Sequence, residues 1–254
     1  GALVGACQGG GTSPASAVPI ASLTVYAAAS LKAALAQAAT TYQGANPGTT
    51  ITVSTDSSSA LETKIEQGAP ADVFLSADTA NPQRLVDKHL AGPIVPFATN
   101  LLTVIVPKGN PAGLGSPVDL ARPGVKVIGA GDTVPITTYA TQLVSNLAGQ
   151  PGYPTGFAAA YAANVVSKED NVAAVVAKIE LGEGDAAIVY VTDARTSTTV
   201  DTVAVPAAAN VVATYGGVVV DASPNQAAAS AFLAWLAGPD GQAILASAGF
   251  LPPG

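Results

Sequence analysis

The fold class predicted by this sequence is α/β, with mostly parallel sheets covered by helices on both faces. Three observations predict it. Short apolar runs alternate with stretches whose apolar residues recur at helical spacing. The strand-like runs are continuously apolar, as strands buried on both faces require. The chain has 254 residues, enough for one large domain or two lobes of roughly 100–150 residues each.

The elements follow in order. Leu23-Thr24-Val25-Tyr26-Ala27 is a β-run, and Leu31, Leu35, Ala38, Ala39 and Tyr42 then fall at helical intervals. Asn46-Pro47-Gly48 breaks that helix before a strand over Thr50-Ile51-Thr52-Val53-Ser54. A second helix carries Leu61 and Ile65 and stops at Gly68-Ala69-Pro70. Asp72-Val73-Phe74-Leu75-Ser76 reads as a third strand and residues 82–88 as a third helix. Residues 101–106 and 125–128 are apolar strands, followed by helices over about 137–148 and 171–181. In the latter, Val172, Val175, Val176 and Ile179 share one face. A strand over 186–191, the run Val218-Val219-Val220 and two Ala-rich helices (226–237 and 240–248) close the chain. No internal repeat is present.

Composition removes several function classes. The chain is 49% hydrophobic and 11% charged, with 10 basic against 17 acidic residues, a net charge of −7. Nucleic-acid binding needs clustered Lys and Arg, so that partner is not expected. No run of about 18 apolar residues occurs, so nothing in this sequence should span a membrane. One His and one Cys leave no ligand set for a bare metal ion. Neither G-x-G-x-x-G after a strand nor a G-K-[ST] loop is present, so no phosphate-bearing cofactor is expected. A serine nucleophile needs a positioned base. The only histidine, His89, sits near a helix end, and no enzyme activity is expected.

Two serine stretches stand where a strand hands over to a helix: Ala28-Ala29-Ser30-Leu31 and Ser57-Ser58-Ser59-Ala60-Leu61. Val134-Pro135-Ile136-Thr137 and Asp170-Asn171-Val172 occupy equivalent places. In open α/β sheets ligands bind beyond the carboxyl ends of the strands. A helix start offers unpaired N–H groups and a partial positive charge, so four of them around one cleft form an anion cage. Plainer readings stand beside this one. Ser30 and Ser59 fit ordinary N-caps, and Ser59 with Glu62 fits a capping box. Tyr190, inside Ile188-Val189-Tyr190-Val191, fits a core tyrosine. Glu169 and Asp170 fit caps or metal ligands.

Leu3-Val4-Gly5-Ala6-Cys7 resembles the lipobox of bacterial lipoproteins, in which the cysteine becomes lipidated. Residues 8–22 are rich in Gly, Ser, Pro and Ala and lack periodicity, the composition of a flexible tether. Residues 1–22 are therefore expected to be a lipobox remnant and tether. The protein is expected to be exported and lipid-anchored at the outer face of the bacterial cytoplasmic membrane.

Thr24-Val25-Tyr26-Ala27-Ala28-Ala29-Ser30-Leu31 resembles the opening of the periplasmic molybdate-binding proteins of ABC transporters. Matches continue in that family's order with Ser57-Ser58-Ser59 and Leu61, then Gln67-Gly68-Ala69-Pro70-Ala71-Asp72-Val73-Phe74-Leu75-Ser76-Ala77-Asp78, then Asn100-Leu101. Residues 129–135 with Tyr139-Ala140, Asp170-Asn171-Val172, Ile188-Val189-Tyr190, Gly238-Pro239 and Gly249-Phe250 complete them. The resemblance implies a type II periplasmic-binding-protein fold closing on a ligand between two lobes. Residues 23–99 with 217–254 would form one lobe and residues 100–216 the other. Carried over by motif, the oxyanion-binding residues are Ser30, Ser58, Ile136, Val172 and Tyr190. Where the family has Ala-Gly after Val-Pro, this chain has Ile136-Thr137, so either residue could supply that contact. The implied ligand is molybdate or tungstate, with sulfate or another tetrahedral oxyanion as the alternative. The implied partner is an ABC transporter permease, served by a monomer.

The residue types suit such a ligand. Molybdate at neutral pH is a proton-free dianion that only accepts hydrogen bonds, and N–H groups, serine hydroxyls and a tyrosine hydroxyl all donate. Hydrogen phosphate carries a proton that needs an acceptor. An unmatched hydrogen bond costs about 1–3 kcal/mol.

Overall fold

The computed structural model describes residues 21–254; Cys7 and residues 8–20 of the expected tether lie outside them. In the first part of the chain the elements are β1 (Ser22–Ala28), α1 (Lys32–Ala45), β2 (Thr50–Asp56), α2 (Ser58–Glu66), β3 (Val73–Ser76), α3 (Ala80–Asp87) and β4 (Val95–Asn100). They continue with β5 (Leu102–Pro107), β6 (Val127–Ala130), α4 (Pro135–Ala148), α5 (Phe157–Asn164), β7 (Val165–Glu169), α6 (Val172–Glu180) and β8 (Ala187–Tyr190). The last are α7 (Val191–Thr196), β9 (Val200–Val203), β10 (Ala213–Val219), α8 (Gln226–Ala237) and α9 (Pro239–Ser247). A single 3-10 turn, Ala29–Leu31, links β1 to α1.

The strands form two mixed sheets of matching design. The first has the order β2-β1-β3-β10-β4. β1 runs parallel to β2 and β3, whereas β10 runs antiparallel to both β3 and β4. Four strands thus point one way and β10 alone points back. In the second, β5 is antiparallel to β8 and β9, and β6 is parallel to β7. A parallel bridge between Val127 and Ala186 joins the two groups, giving the order β9-β5-β8-β6-β7 with β5 alone reversed. The mostly parallel sheets expected from the apolar runs are present, each split by one strand arriving from the other sheet. β5 follows β4 after Leu101, and β10 returns after residues 204–212. A strand that enters at the carboxyl ends of its neighbours has to run against them.

The helices are amphipathic as their spacing predicts. α1 buries Ala34, Leu35, Ala38, Ala39 and Tyr42, and α6 buries Val172, Val175, Val176 and Ile179. Five elements escaped the sequence pattern: β4, α5, β7, α7 and β9. β4 carries Pro96, which is depleted in strands. β7 and β9 are short and hold no apolar run longer than two residues, and α5 is mostly alanine without a marked stripe. Two boundaries also move. Ser22 belongs to β1 rather than to the tether, pairing with Thr50. β10 starts at Ala213, ahead of the expected run Val218-Val219-Val220, because Gly216-Gly217 interrupts the β-type residues that would have marked it. Among the described residues no helix is long and apolar enough to cross a membrane.

Candidate anion-binding site

Residues following the carboxyl ends of six strands enclose one small cavity. Ala28 ends β1 and Ala29 and Ser30 follow it, Ser57 and Ser58 follow β2, and Ala77 follows β3. From the second sheet come Val134, Pro135 and Ile136 beyond β6, Val172 beyond β7, and Tyr190 at the end of β8. Its volume is about 10 Å³, close to what one water-sized centre occupies. Ser30, Ser58, Ile136, Val172 and Tyr190 all line it, and no charged side chain does.

Three helices begin at this cavity, and their caps decide which groups face it. The side chain of Ser57 caps α2 by accepting the Ala60 N–H at 3.3 Å. That leaves Ser58 at the first helical position, where its N–H has no intrahelical acceptor. The capping box expected at Ser59 and Glu62 does not form, because β2 runs on to Asp56 and sets the cap at the next residue. Glu62 is instead buried, and burial, with help from neighbouring Glu66, pushes its carboxyl up to about 7. Asn171 caps α6 by accepting the Ala174 N–H at 3.1 Å, so the cap belongs to Asn171 rather than Asp170. Glu169 pairs with Lys178 at 2.9 Å. α4 opens with Pro135, a residue favoured at the first helical position, and carries no side-chain cap. Ile136 lines the cavity, whereas the Thr137 hydroxyl donates to the carbonyls of Ala130 and Gly131 at 3.0 and 2.9 Å. Thr137 holds the turn below the cavity.

The three hydroxyls differ in their partners. Ser58 Oγ accepts the Ala77 N–H at 3.0 Å, which occupies a lone pair and leaves its own proton to give. Ser30 Oγ lies 2.9 Å from Tyr215 Oη. Tyr190 Oη is buried without a hydrogen-bond partner; among the described residues the only other such side-chain atom is Tyr42 Oη. Tyr42 packs edge-on against Phe232 and Trp235 on α8, both at 5.1 Å, and is an ordinary core tyrosine. The Tyr190 ring likewise packs edge-on against Tyr215 at 5.7 Å and Tyr139 at 6.3 Å, but its residue also lines the cavity. Burial, reinforced by Tyr215, holds its ionisation well above the usual phenol range. The hydroxyl therefore stays protonated.

Sequence reasoning missed the shell behind these groups. Buried Asn100 donates from Nδ2 to Thr192 Oγ1 at 2.8 Å and to Tyr215 Oη at 3.4 Å. Asp193 Oδ2 accepts the Tyr190 N–H at 3.2 Å, and burial pushes this carboxyl up to about 7. Across the mouth, Thr133 Oγ1 donates to Ser59 Oγ at 3.4 Å and Asn171 Nδ2 to Asp56 Oδ1 at 3.3 Å. His89 is exposed just after α3, in the left-handed region at φ 55°, with no place at the cavity.

Comparison with known proteins places the chain. The family of bacterial extracellular solute-binding proteins matches residues 23–251. The molybdate-binding protein ModA of Mycobacterium tuberculosis is 36% identical over 234 residues, covering 91% of this chain and 85% of that protein. Among solved structures, the periplasmic molybdate-binding protein of Azotobacter vinelandii superposes with a TM-score of 0.76 at 24% identity, covering 91% of this chain and 100% of that one. The sulfate-binding protein SubI of M. tuberculosis does so with a TM-score of 0.81 at 22% identity, over 91% and 86%. These two share the fold, a type II periplasmic-binding-protein architecture. On the strength of the family match and the 36% identity, the chain belongs to the bacterial extracellular solute-binding proteins, among the relatives of ModA.

Proposed function

We propose that the cavity binds molybdate, and tungstate with it, and that the protein hands this oxyanion to the permease of an ABC importer. The observation that carries the reading is the buried Tyr190 hydroxyl, which lacks a partner beside a cavity lined by serine hydroxyls and by no carboxylate. Ser30, Ser58 and Tyr190 would give hydroxyl protons, and Ile136 and Val172 their backbone N–H groups. Hydrogen bonds to an ionised group are roughly twice as strong as neutral ones. Each helix start adds about 0.3–1 kcal/mol, up to about 2 when partly buried. Together they support nanomolar affinity, about −12 kcal/mol, without Arg or Lys. The name of the 36% identical relative favours molybdate over sulfate.

On this reading the protein is a monomeric receptor and not an enzyme: no carboxylate or imidazole lines the cavity beside Ser30 and Ser58. Its lobes would be residues 23–99 with 217–254, and residues 100–216. The lipobox-like Leu3-Val4-Gly5-Ala6-Cys7 supports anchoring through a lipidated Cys7. Cys7→Ser should move the cellular protein from the membrane to the soluble fraction. A protein that stays membrane-bound removes the anchor.

Calorimetry with molybdate, tungstate, sulfate and phosphate tests the ligand. Molybdate and tungstate should bind in the nanomolar range, sulfate more weakly because of its size, and phosphate least because of its proton. Sulfate binding as tight as molybdate would transfer the assignment to sulfate. Tyr190→Phe should weaken molybdate about tenfold, within the cost scale of a hydrogen bond to a charged group. It should not lower the melting temperature of the ligand-free protein, because it removes a buried hydroxyl that has no partner. Lower stability with unchanged affinity would return Tyr190 to the core alone.

A further inference from the structure

We infer that Asn100 and Tyr215 form a one-way hydrogen-bond relay that fixes the Ser30 hydroxyl as a donor toward the cavity. The pair would then determine specificity against anions that carry a proton. The inference rests on the oxyanion reading of the cavity.

The direction of the relay follows from its first member. Asn100 Oδ1 accepts the Leu101 N–H at 3.0 Å, which sets the amide orientation. Its Nδ2, which can only donate, then faces two oxygens, Thr192 Oγ1 at 2.8 Å and Tyr215 Oη at 3.4 Å. Tyr215 therefore receives on a lone pair and has one proton to give. Ser30 Oγ, 2.9 Å away, takes it. With that lone pair engaged, the Ser30 proton is left for the cavity that the residue lines. Asn100, Thr192 and Tyr215 are buried, and Ser30 is 9% exposed, so bulk water does not compete for these bonds.

This polarity matters because a hydroxyl, unlike an N–H, can turn round and accept. A free Ser30 could accept the proton of hydrogen phosphate and so tolerate the wrong ligand. Ser58 is polarised in the same sense by the Ala77 N–H. Only Tyr190 has no protein partner to restrict it. The relay also lies on the strands through which the chain passes between the sheets: Asn100 ends β4, and Tyr215 lies in β10.

The test is a double-mutant cycle of Tyr215→Phe and Ser30→Ala, titrated by calorimetry with molybdate and with inorganic phosphate as hydrogen phosphate. Both ligands are dianions, so a general change in the field of the site cancels in their ratio. Tyr215→Phe should weaken molybdate about three- to tenfold, a part of the charged hydrogen-bond scale, and leave phosphate unchanged or improved. In the Ser30→Ala background it should have no further effect on molybdate. Equal losses for both anions, or additive losses in the cycle, would mean that Tyr215 only packs, and would overturn the relay. The Tyr215 ring keeps its edge contacts with Phe97 and Phe250 at 6.1 and 5.3 Å in the Phe variant, and melting temperature checks that it folds. Asn100→Asp is the second variant. A carboxylate there accepts from Tyr215 and reverses the relay, so the ratio of molybdate to phosphate affinity should fall further. If wild-type protein binds no molybdate, the oxyanion reading fails and the relay with it. If wild type binds molybdate but the ratio stays fixed in both variants, the relay alone fails.

Discussion

Asp193→Asn should stabilise the ligand-free protein strongly at pH 8 and scarcely at all at pH 4. Asp193 is buried in the first turn of α7, with Oδ2 accepting the Tyr190 N–H at 3.2 Å. Burial raises its carboxyl from 3.8 to about 7. Between those values the folded protein keeps a proton that the unfolded chain has lost. Its stability is therefore full below the unfolded value, falls as pH rises through this window and levels off above about 7. A displacement of that size corresponds to a loss on the order of 4 kcal/mol. The amide keeps an oxygen for the Tyr190 N–H and cannot ionise. Urea unfolding from pH 4 to pH 8 should give a falling curve for wild type and a flatter one for the variant. Some slope of the same sign should persist, since burial also raises Glu62 to about 7. Parallel curves would mean that Asp193 carries its charge in the folded state at no cost.

Ser58→Ala should weaken molybdate binding by roughly 1.5–3 kcal/mol, about 10- to 150-fold, the scale of a hydrogen bond to a charged group. It should also destabilise the ligand-free protein by about 1–3 kcal/mol, because the Ala77 N–H loses its acceptor in a buried place. The cap of α2 is untouched, since Ser57 provides it. The two site hydroxyls thus separate: removing that of Tyr190 should cost affinity alone, and removing that of Ser58 both affinity and stability. Melting curves without ligand and calorimetry with molybdate measure the two effects independently. Unchanged affinity would remove Ser58 from the site.

The legible parts of this chain were those encoded by one-dimensional patterns. Helical spacing marked α1, α2 and α6, and continuous apolar runs marked β1, β5 and β8, because burial on one or both faces imposes those periods directly. The strand-to-helix junctions were legible for the same reason, and the five residues that the resemblance implied, Ser30, Ser58, Ile136, Val172 and Tyr190, are among the eleven that line the cavity. Groups defined by long-range contacts were not. Tyr215 meets Ser30 across 185 residues and Asn100 across 115, and no local pattern carries that pairing. Likewise Ser57 rather than Ser59 became the cap, because the end of β2 was fixed by pairing with β1 down to Ala28 and Asp56. Asp193 looked like any acidic residue in a first helical turn until packing buried it.

The uncharged lining of the cavity has a kinetic consequence. Helix ends and hydroxyls attract an anion only within about the last turn, whereas the whole molecule, with its net charge of −7, repels a dianion over the Debye length, about 8 Å at physiological ionic strength. Long-range steering and short-range capture therefore have opposite signs in this protein. Added salt screens the repulsion on approach but hardly reaches the dry contacts inside. A dianion should be captured faster in concentrated salt and released at much the same rate, the reverse of a receptor that draws its ligand in with arginines. If the proposed site holds the anion, its residence time would be set by the donors of the cavity and its rate of arrival by the net negative charge of the chain.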